Sequence, residues 1–214
     1  MYRLYYYPDN ASLAPHILLR EVGAEHELVL VDRKSEAQKS PEYLALNPAG
    51  RIPTLVHGEL VLFESPAICI YIAESHADSG LIPQDGPERA KFFQWMMYLT
   101  NTLQAELMVY CYPDKHTTDP SGATAVKAAH EARVTDMLGL LNEQLEGRDY
   151  LLGHTLSACD PFLFMLAHWC GRFALPPLSF PHLGAFMRRM AARTAVRKVC
   201  EVEGIDLSPY ALEV

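Results

Sequence analysis

Asn47-Pro48-Ala49-Gly50-Arg51-Ile52-Pro53-Thr54-Leu55, with Phe63-Glu64-Ser65-Pro66 close behind, is the stretch that decides the fold. Pro53 follows a glycine-containing turn and opens a short apolar run. It has no N–H to give to a sheet ladder, so it belongs at the first position of a strand. A cis Ile52–Pro53 bond, which costs only about 0.5–1 kcal/mol before proline, would turn the Ile52 N–H and C=O outward. An outward pair of that kind binds an extended peptide as a neighbouring strand would. Glu64-Ser65-Pro66 reads as a strand end running into a helix start, with Ser65 at the N-cap and Pro66 at the first helical position. A helix N-terminus holds a carboxylate, and the Glu64 carboxylate beside it holds an ammonium. The two pieces together make a receptor for a small zwitterionic peptide.

The flanking sequence supplies the frame for that receptor. Residues 2–7, rich in aromatic β formers, read as a strand. Pro8-Asp9-Asn10-Ala11-Ser12 breaks it. Leu13, Ile17, Leu18 and Val22 then share one helical face, and Gly23 stops the helix. Residues 27–31 are a second strand, so the unit is βαβ with parallel strands. Ser40-Pro41-Glu42 opens a short helix that ends before Asn47. Residues 54–57 and 60–63 flank the tight Gly58-Glu59 turn as an antiparallel hairpin, and residues 65–77 form the next helix.

Ile82-Pro83-Gln84-Asp85-Gly86-Pro87 reads as a linker, and no good strand candidate follows it. Helical patterns cover residues 88–112, 123–145, 158–173, 181–192 and 195–202, with a polar loop at 113–122. The expected organisation is an α/β domain at 1–83, a linker at 84–87 and an all-helical domain at 88–214. Ser157-Ala158-Cys159-Asp160 is a capping signal, with Pro161 at the fourth helical position, and its reading is structural.

Composition narrows the function. The chain has 214 residues, half of them apolar, and a net charge of −8 with no basic run. Nucleic acid and anionic membrane surfaces are therefore poor partners. There is no signal peptide and no membrane-length apolar run in the sequence. The five cysteines are scattered without a Cys-x-x-Cys, which fits reduced thiols in a cytoplasm. The histidines show no metal spacing, so no metal is expected.

The Ile52-Pro53 and Glu64-Ser65 pair, behind this N-terminus, resembles the glutathione site of the soluble glutathione S-transferases. The resemblance covers nearly the whole chain. It implies a thioredoxin-like N-terminal domain with a cis-proline, and a helical bundle carrying an electrophile site. It also implies a homodimer that activates glutathione, its co-substrate, as thiolate and conjugates it to a small hydrophobic electrophile. In that family the residue before cis-proline grips the cysteinyl backbone, and the Glu/Gln-Ser pair grips the γ-glutamyl end. Ile52, Pro53, Glu64 and Ser65 take those places here, with Lys39 and Arg51 placed to reach the glycyl carboxylate.

A free thiol has a pKa of about 8.5, and lowering it by about two units needs roughly 2.7 kcal/mol of preferential thiolate stabilisation. Donors near a helix N-terminus supply it. The family places its donor around the end of the first strand. Residues 6–16 are most similar to the bacterial beta-like group, which carries Cys-Ser where this chain has Ala11-Ser12. Ala11 rules out a mixed disulfide with glutathione at that position. Ser12 is the first candidate donor, Asn10 the second and Tyr6 the third, although Ser12 and Asn10 are also favoured helix caps. His16 reads as filling a polar space below the site rather than as a base. Trp95, Met96, Met97, Tyr98 and Met108 read as helix packing, some of it adaptable enough to line an acceptor site. Two other readings share the scaffold: a glutathione-dependent reductase or peroxidase, and a non-catalytic binding or regulatory protein.

Overall fold

The structure is a computed structural model in which residues 1–211 are described. Strand β1 (Tyr2–Tyr6) lies inside a four-stranded sheet of order β2-β1-β3-β4. It pairs in parallel with β2 (His26–Leu30) and antiparallel with β3 (Thr54–His57). β3 pairs antiparallel with β4 (Leu60–Phe63) across the Gly58-Glu59 turn. The order strand–helix–strand, then hairpin, is the one the apolar periodicities imply. Tyr2 and Leu4 are buried and Arg3 is exposed, the alternation of a half-covered strand.

Helix α1 (Leu13–Glu21) returns the chain from β1 to β2 and buries every residue from Leu13 to Leu19. Helix α2 (Pro41–Leu44) is capped by Ser40, whose hydroxyl accepts from the Tyr43 N–H at 3.2 Å. Helix α3 (Ser65–Ser75) begins one residue earlier than its sequence suggests. Glu64 is the N-cap, at φ +72°, and Ser65 and Pro66 are the first two helical residues. The cause is that the Glu64 carbonyl already accepts the Ile68 N–H at 3.0 Å.

The chain divides into two compact units: residues 1–84 together with 190–214, and residues 85–189. Residues 190–211 thus group with the sheet and not with the helices that precede them. Helix α9 (Thr194–Glu203) packs on α1 within this first unit. Arg193 grips Glu21 through Nε–Oε1 at 2.6 Å and Nη2–Oε2 at 2.9 Å.

In the second unit, the long pattern at 88–112 is helix α4 (Gly86–Met97), a π-helical stretch (Tyr98–Gln104) and helix α5 (Ala105–Cys111). Helix α6 (Ala123–Gln144) packs against α5. Helix α7 (Cys159–Trp169) is buried from Cys159 to Ala167. Helix α8 (Pro181–Ala192) carries the chain back to the first unit. The Asp160 carboxylate accepts from the Ser157 N–H at 2.7 Å and the Leu151 N–H at 2.8 Å. The Ser157 hydroxyl donates to Asp160 at 2.8 Å instead of capping, and Pro161 is the third helical residue. Among the described residues no helix is long and apolar enough to cross a membrane.

Candidate functional site

Strand register brings the sequence-selected pieces to one end of the sheet. Tyr5 lies opposite Thr54, and Thr54 opposite Phe63. The turn after β1, the Ile52-Pro53 step before β3 and the Glu64-Ser65 step after β4 therefore share that end. The Ile52–Pro53 bond is cis. The Ile52 N–H and C=O make no backbone hydrogen bond among the described residues. The Ile52 side chain packs with Val31 and Tyr43, against Tyr5 and Tyr7.

Two residues to which the sequence analysis assigns no role build this corner. The Tyr43 hydroxyl donates to the Arg51 carbonyl at 2.7 Å and shares a 2.9 Å bond with the Thr54 hydroxyl. The Asn47 side chain, 2 % exposed, donates to the same Arg51 carbonyl at 2.7 Å and accepts from the Ala49 N–H at 3.1 Å. Gly50 closes the turn at φ +59°, where a Cβ would sit 3.0 Å from Lys39 Nζ and 3.1 Å from the Gln38 carbonyl. Lys39 thus stands beside the turn, and the Lys39 and Arg51 side chains are exposed.

Glu64 is exposed, and its positive φ is a conformation that a glutamate adopts only when its surroundings hold it there. The Ser65 hydroxyl donates to the Ala11 carbonyl at 2.8 Å, tying the start of α3 to the turn before α1. The Ser65 N–H makes no backbone hydrogen bond among the described residues. It stands at the positive end of α3, with proline next to it.

The three candidate donors have different fates. Ser12 is fully buried; its hydroxyl donates to the Tyr7 carbonyl at 3.1 Å and accepts from the Tyr7 N–H at 3.4 Å. Asn10 is half-buried; its Oδ1 accepts from the Ala11 N–H at 2.8 Å, and its amide nitrogen donates to no described residue. Tyr6 is half-buried, with its ring edge-on to His16 at 6.3 Å. Neither Asn10 nor Ser12 caps α1 through its side chain.

His16 is fully buried, and its Nδ1–H donates to Glu203 Oε1 at 2.7 Å. Glu203 Oε2 accepts from the Asp9 N–H at 3.0 Å, and Asp9 is held at φ +50°. The sequence reading missed Glu203. Its only local signal is the spacing Val196, Val199, Cys200, Glu203, which sets an acid on the buried face of α9.

Four of the five cysteines are buried. Burial pushes the Cys69 and Cys170 thiols far up, and Cys200 up to about 12, with Glu203 and Asp9 adding to the last. Such thiols stay protonated and unreactive at neutral pH. Among the described residues no three His, Cys, Asp or Glu side chains gather as a metal requires. In the helical unit Met96 is fully buried and Trp95 nearly so, while Met97 is 40 % exposed and Tyr98 and Met108 are half-buried.

This corner offers an unpaired strand backbone, a carboxylate at a helix start, a helix-end N–H and a free amide donor. Two family models match the chain: "Glutathione S-transferase, N-terminal domain" over residues 1–74, and "Glutathione S-transferase, C-terminal domain" over residues 100–194. Glutathione S-transferase GstA of Escherichia coli O157:H7 is 32% identical over 206 residues, which is 95% of this chain and 99% of that one. Glutathione S-transferase 3 of Zea mays is 32% identical over 92% of this chain and 93% of its own. A glutathione transferase homologue from Sulfitobacter, solved with bound glutathione, superposes with a TM-score of 0.88 at 27% identity, over 96% of this chain and 99% of that chain. The bacterial beta class glutathione S-transferase of Sphingomonas chungbukensis superposes at 0.83 with 30% identity, over 95% and 100% of the two chains.

Proposed function

We propose, on the premise that this chain belongs to the glutathione S-transferase family and is a glutathione transferase, that Asn10 donates to the glutathione sulfur. Glutathione is its co-substrate. The cysteinyl backbone pairs with the Ile52 N–H and C=O. The Ser65 N–H and the start of α3 take the γ-glutamyl carboxylate, and Glu64 takes the ammonium. Lys39 and Arg51 face the glycyl carboxylate. Sulfur then lies toward the turn after β1, where the Asn10 amide nitrogen has no other partner among the described residues.

The sequence placed Ser12 first, but a hydroxyl enclosed on both sides by the Tyr7 peptide has no free direction toward a ligand. The observation that carries the proposal is this contrast between Ser12 and Asn10, at the sheet end where the Ile52 backbone is unpaired and Glu64 stands at φ +72°. Bound as thiolate, glutathione attacks an electrophilic carbon; a carbon–sulfur bond forms, the leaving group departs with its electron pair, and the thiol proton has already gone to solvent. The second substrate we propose is a small apolar electrophile. We further propose the domain roles expected from the sequence, a cytoplasmic setting and a homodimer. The exposed apolar residues of β4, the edge strand, support the dimer. Ala11 removes the residue on which a thiol–disulfide reading would depend.

The test is the ultraviolet titration of bound glutathione in wild type, Asn10→Ala and Ser12→Ala, with conjugation of a chlorodinitrobenzene measured beside it. Asn10→Ala should raise the thiol pKa by about one to two units, a fall of roughly ten- to a hundredfold in neutral-pH rate. An unmoved titration in Asn10→Ala removes the assignment. Binding without turnover in wild type favours a binding protein.

A further inference from the structure

Helix α9 runs antiparallel to α1, since Arg193 at its start meets Glu21 at the end of α1 and Glu203 at its end meets His16 near the start. Its last residue is fully enclosed and 187 positions from its His16 partner. The Glu203 carboxylate divides between two tasks. Oε1 takes the His16 Nδ1–H on the first turn of α1, and Oε2 takes the Asp9 N–H in the turn before it. Among the described residues His16 Nε2 has no hydrogen-bond partner, so the bond to Glu203 is the one that orients the imidazole. Asp9 stands at φ +50°, which a non-glycine residue holds only under constraint, and Asn10 follows directly.

We infer that Glu203 is a positioning residue for thiolate formation, holding the Asp9-Asn10 turn so that the Asn10 amide meets the sulfur. The inference rests on the assignment of Asn10 as donor. A charge-assisted bond to the Asp9 N–H fixes the peptide immediately before Asn10. The Ser65 hydroxyl fixes the far side of that turn through the Ala11 carbonyl. The donor is therefore clamped between the C-terminal helix and the start of α3, and it has little freedom left to lose on binding glutathione.

A positioning role and a mere charge effect have opposite signs. Removing a negative charge near the site would by itself ease ionisation and lower the thiol pKa. Losing the clamp would raise it. Glu203→Gln separates the two, because the carboxamide gives up the charge and keeps only one acceptor oxygen, so the charge-assisted bond to the Asp9 N–H is lost or becomes a neutral one.

The experiment titrates glutathione bound to wild type, Glu203→Gln, Asn10→Ala and the double variant, with thermal melting of each. Glu203→Gln should raise the bound thiol pKa by about half to one unit and lower kcat about three- to tenfold at neutral pH. The affinity for glutathione near pH 6 should change little. In the double variant the shift should equal that of Asn10→Ala alone, since the two act through one donor. A thiol pKa that falls or stays put in Glu203→Gln while Asn10→Ala raises it overturns the clamp and leaves the donor intact. If Asn10→Ala leaves the titration unmoved while Glu203→Gln raises it, the donor assignment fails and the turn acts through its backbone, with Glu203 still positioning it. If neither moves it, both are overturned. A lower melting temperature with an unchanged titration assigns Glu203 to stability only and overturns the inference. Should Glu203→Gln fail to fold, Glu203→Asp, one carbon short of holding both donors, takes its place in the same measurements.

Discussion

Gly50 shows how much one missing side chain can decide. Its φ of +59° lies where a Cβ is strained, and that Cβ would be 3.0 Å from Lys39 Nζ and 3.1 Å from the Gln38 carbonyl. Lysine can swing away, but the carbonyl belongs to the backbone. Gly50→Ala should therefore cost about 1–3 kcal/mol and, by moving Arg51 and Ile52, raise the KM for glutathione. Denaturant unfolding and steady-state kinetics check both; a neutral variant would show that the turn yields easily. The cysteines make the opposite point, that a reactive-looking residue type can be inert. Cys69, Cys159, Cys170 and Cys200 are buried, and Cys111 alone is exposed. Its thiol too is pushed up by burial of the sulfur, with Lys127 pulling the other way. A chromogenic disulfide should react slowly with about one thiol per native chain, and with all five after denaturation. Rapid reaction of more than one native thiol would contradict this burial.

At the scale of elements, the sheet and its helices were legible because each carries a local signature. The Gly58-Glu59 turn between two apolar runs made the hairpin, and Ser40-Pro41 made a cap that the Tyr43 N–H uses. Local signals fail where the deciding partner is distant. Ser65 looked like an N-cap, yet its hydroxyl is drawn to the Ala11 carbonyl 54 residues away. Ser12, the first candidate donor, fails for a nearer reason: the Tyr7 peptide, five residues back, takes both sides of its hydroxyl. The π-helical stretch at Tyr98–Gln104 leaves the apolar spacing of a long helix almost unchanged, so periodicity could not reveal it. Glu203 was out of reach for the same reason as Ser65: its partners are 187 and 194 residues away. Tyr43 in α2 belongs to no local motif that would single it out. Its hydroxyl joins Arg51 to Thr54 and so joins α2 to the start of β3. Tyr43→Phe should destabilise the chain by about 1–2 kcal/mol, the cost of two buried bonds to one hydroxyl. It should also weaken glutathione binding. Calorimetry with glutathione reads the second effect, and unchanged binding would confine Tyr43 to stability.

The molecule as a whole is set up to lose stability in alkali. Burial pushes up the thiols of Cys69, Cys170 and Cys200 and the phenols of Tyr43 and Tyr210. In the unfolded chain these groups ionise at about 8.5 and 10. Above those values the folded chain keeps protons that the unfolded chain releases, so stability falls as pH rises. It is fully present below about pH 8 and declines from there upward, first through the thiols, with the phenols joining only above about pH 10. Urea midpoints between neutral pH and pH 10 read this slope, and a flat series would contradict it. Assembly is the remaining question at this scale. β4 is an edge strand, with one side of its ladder unpaired, and Leu60, Val61 and Phe63 on it are 39, 38 and 38 % exposed. An exposed apolar edge invites pairing unless a partner covers it. The proposed homodimer covers it, and a charge in the covered face would be buried without a counter-ion. Val61→Glu should therefore dissociate the dimer, and light scattering at micromolar concentration should give twice the chain mass for wild type and the single mass for the variant. Because Val61 lies on the strand and not at the Glu64-Ser65 step, the separated subunit should still bind glutathione. A wild-type chain that scatters as a monomer would leave that edge uncovered and sink the dimer.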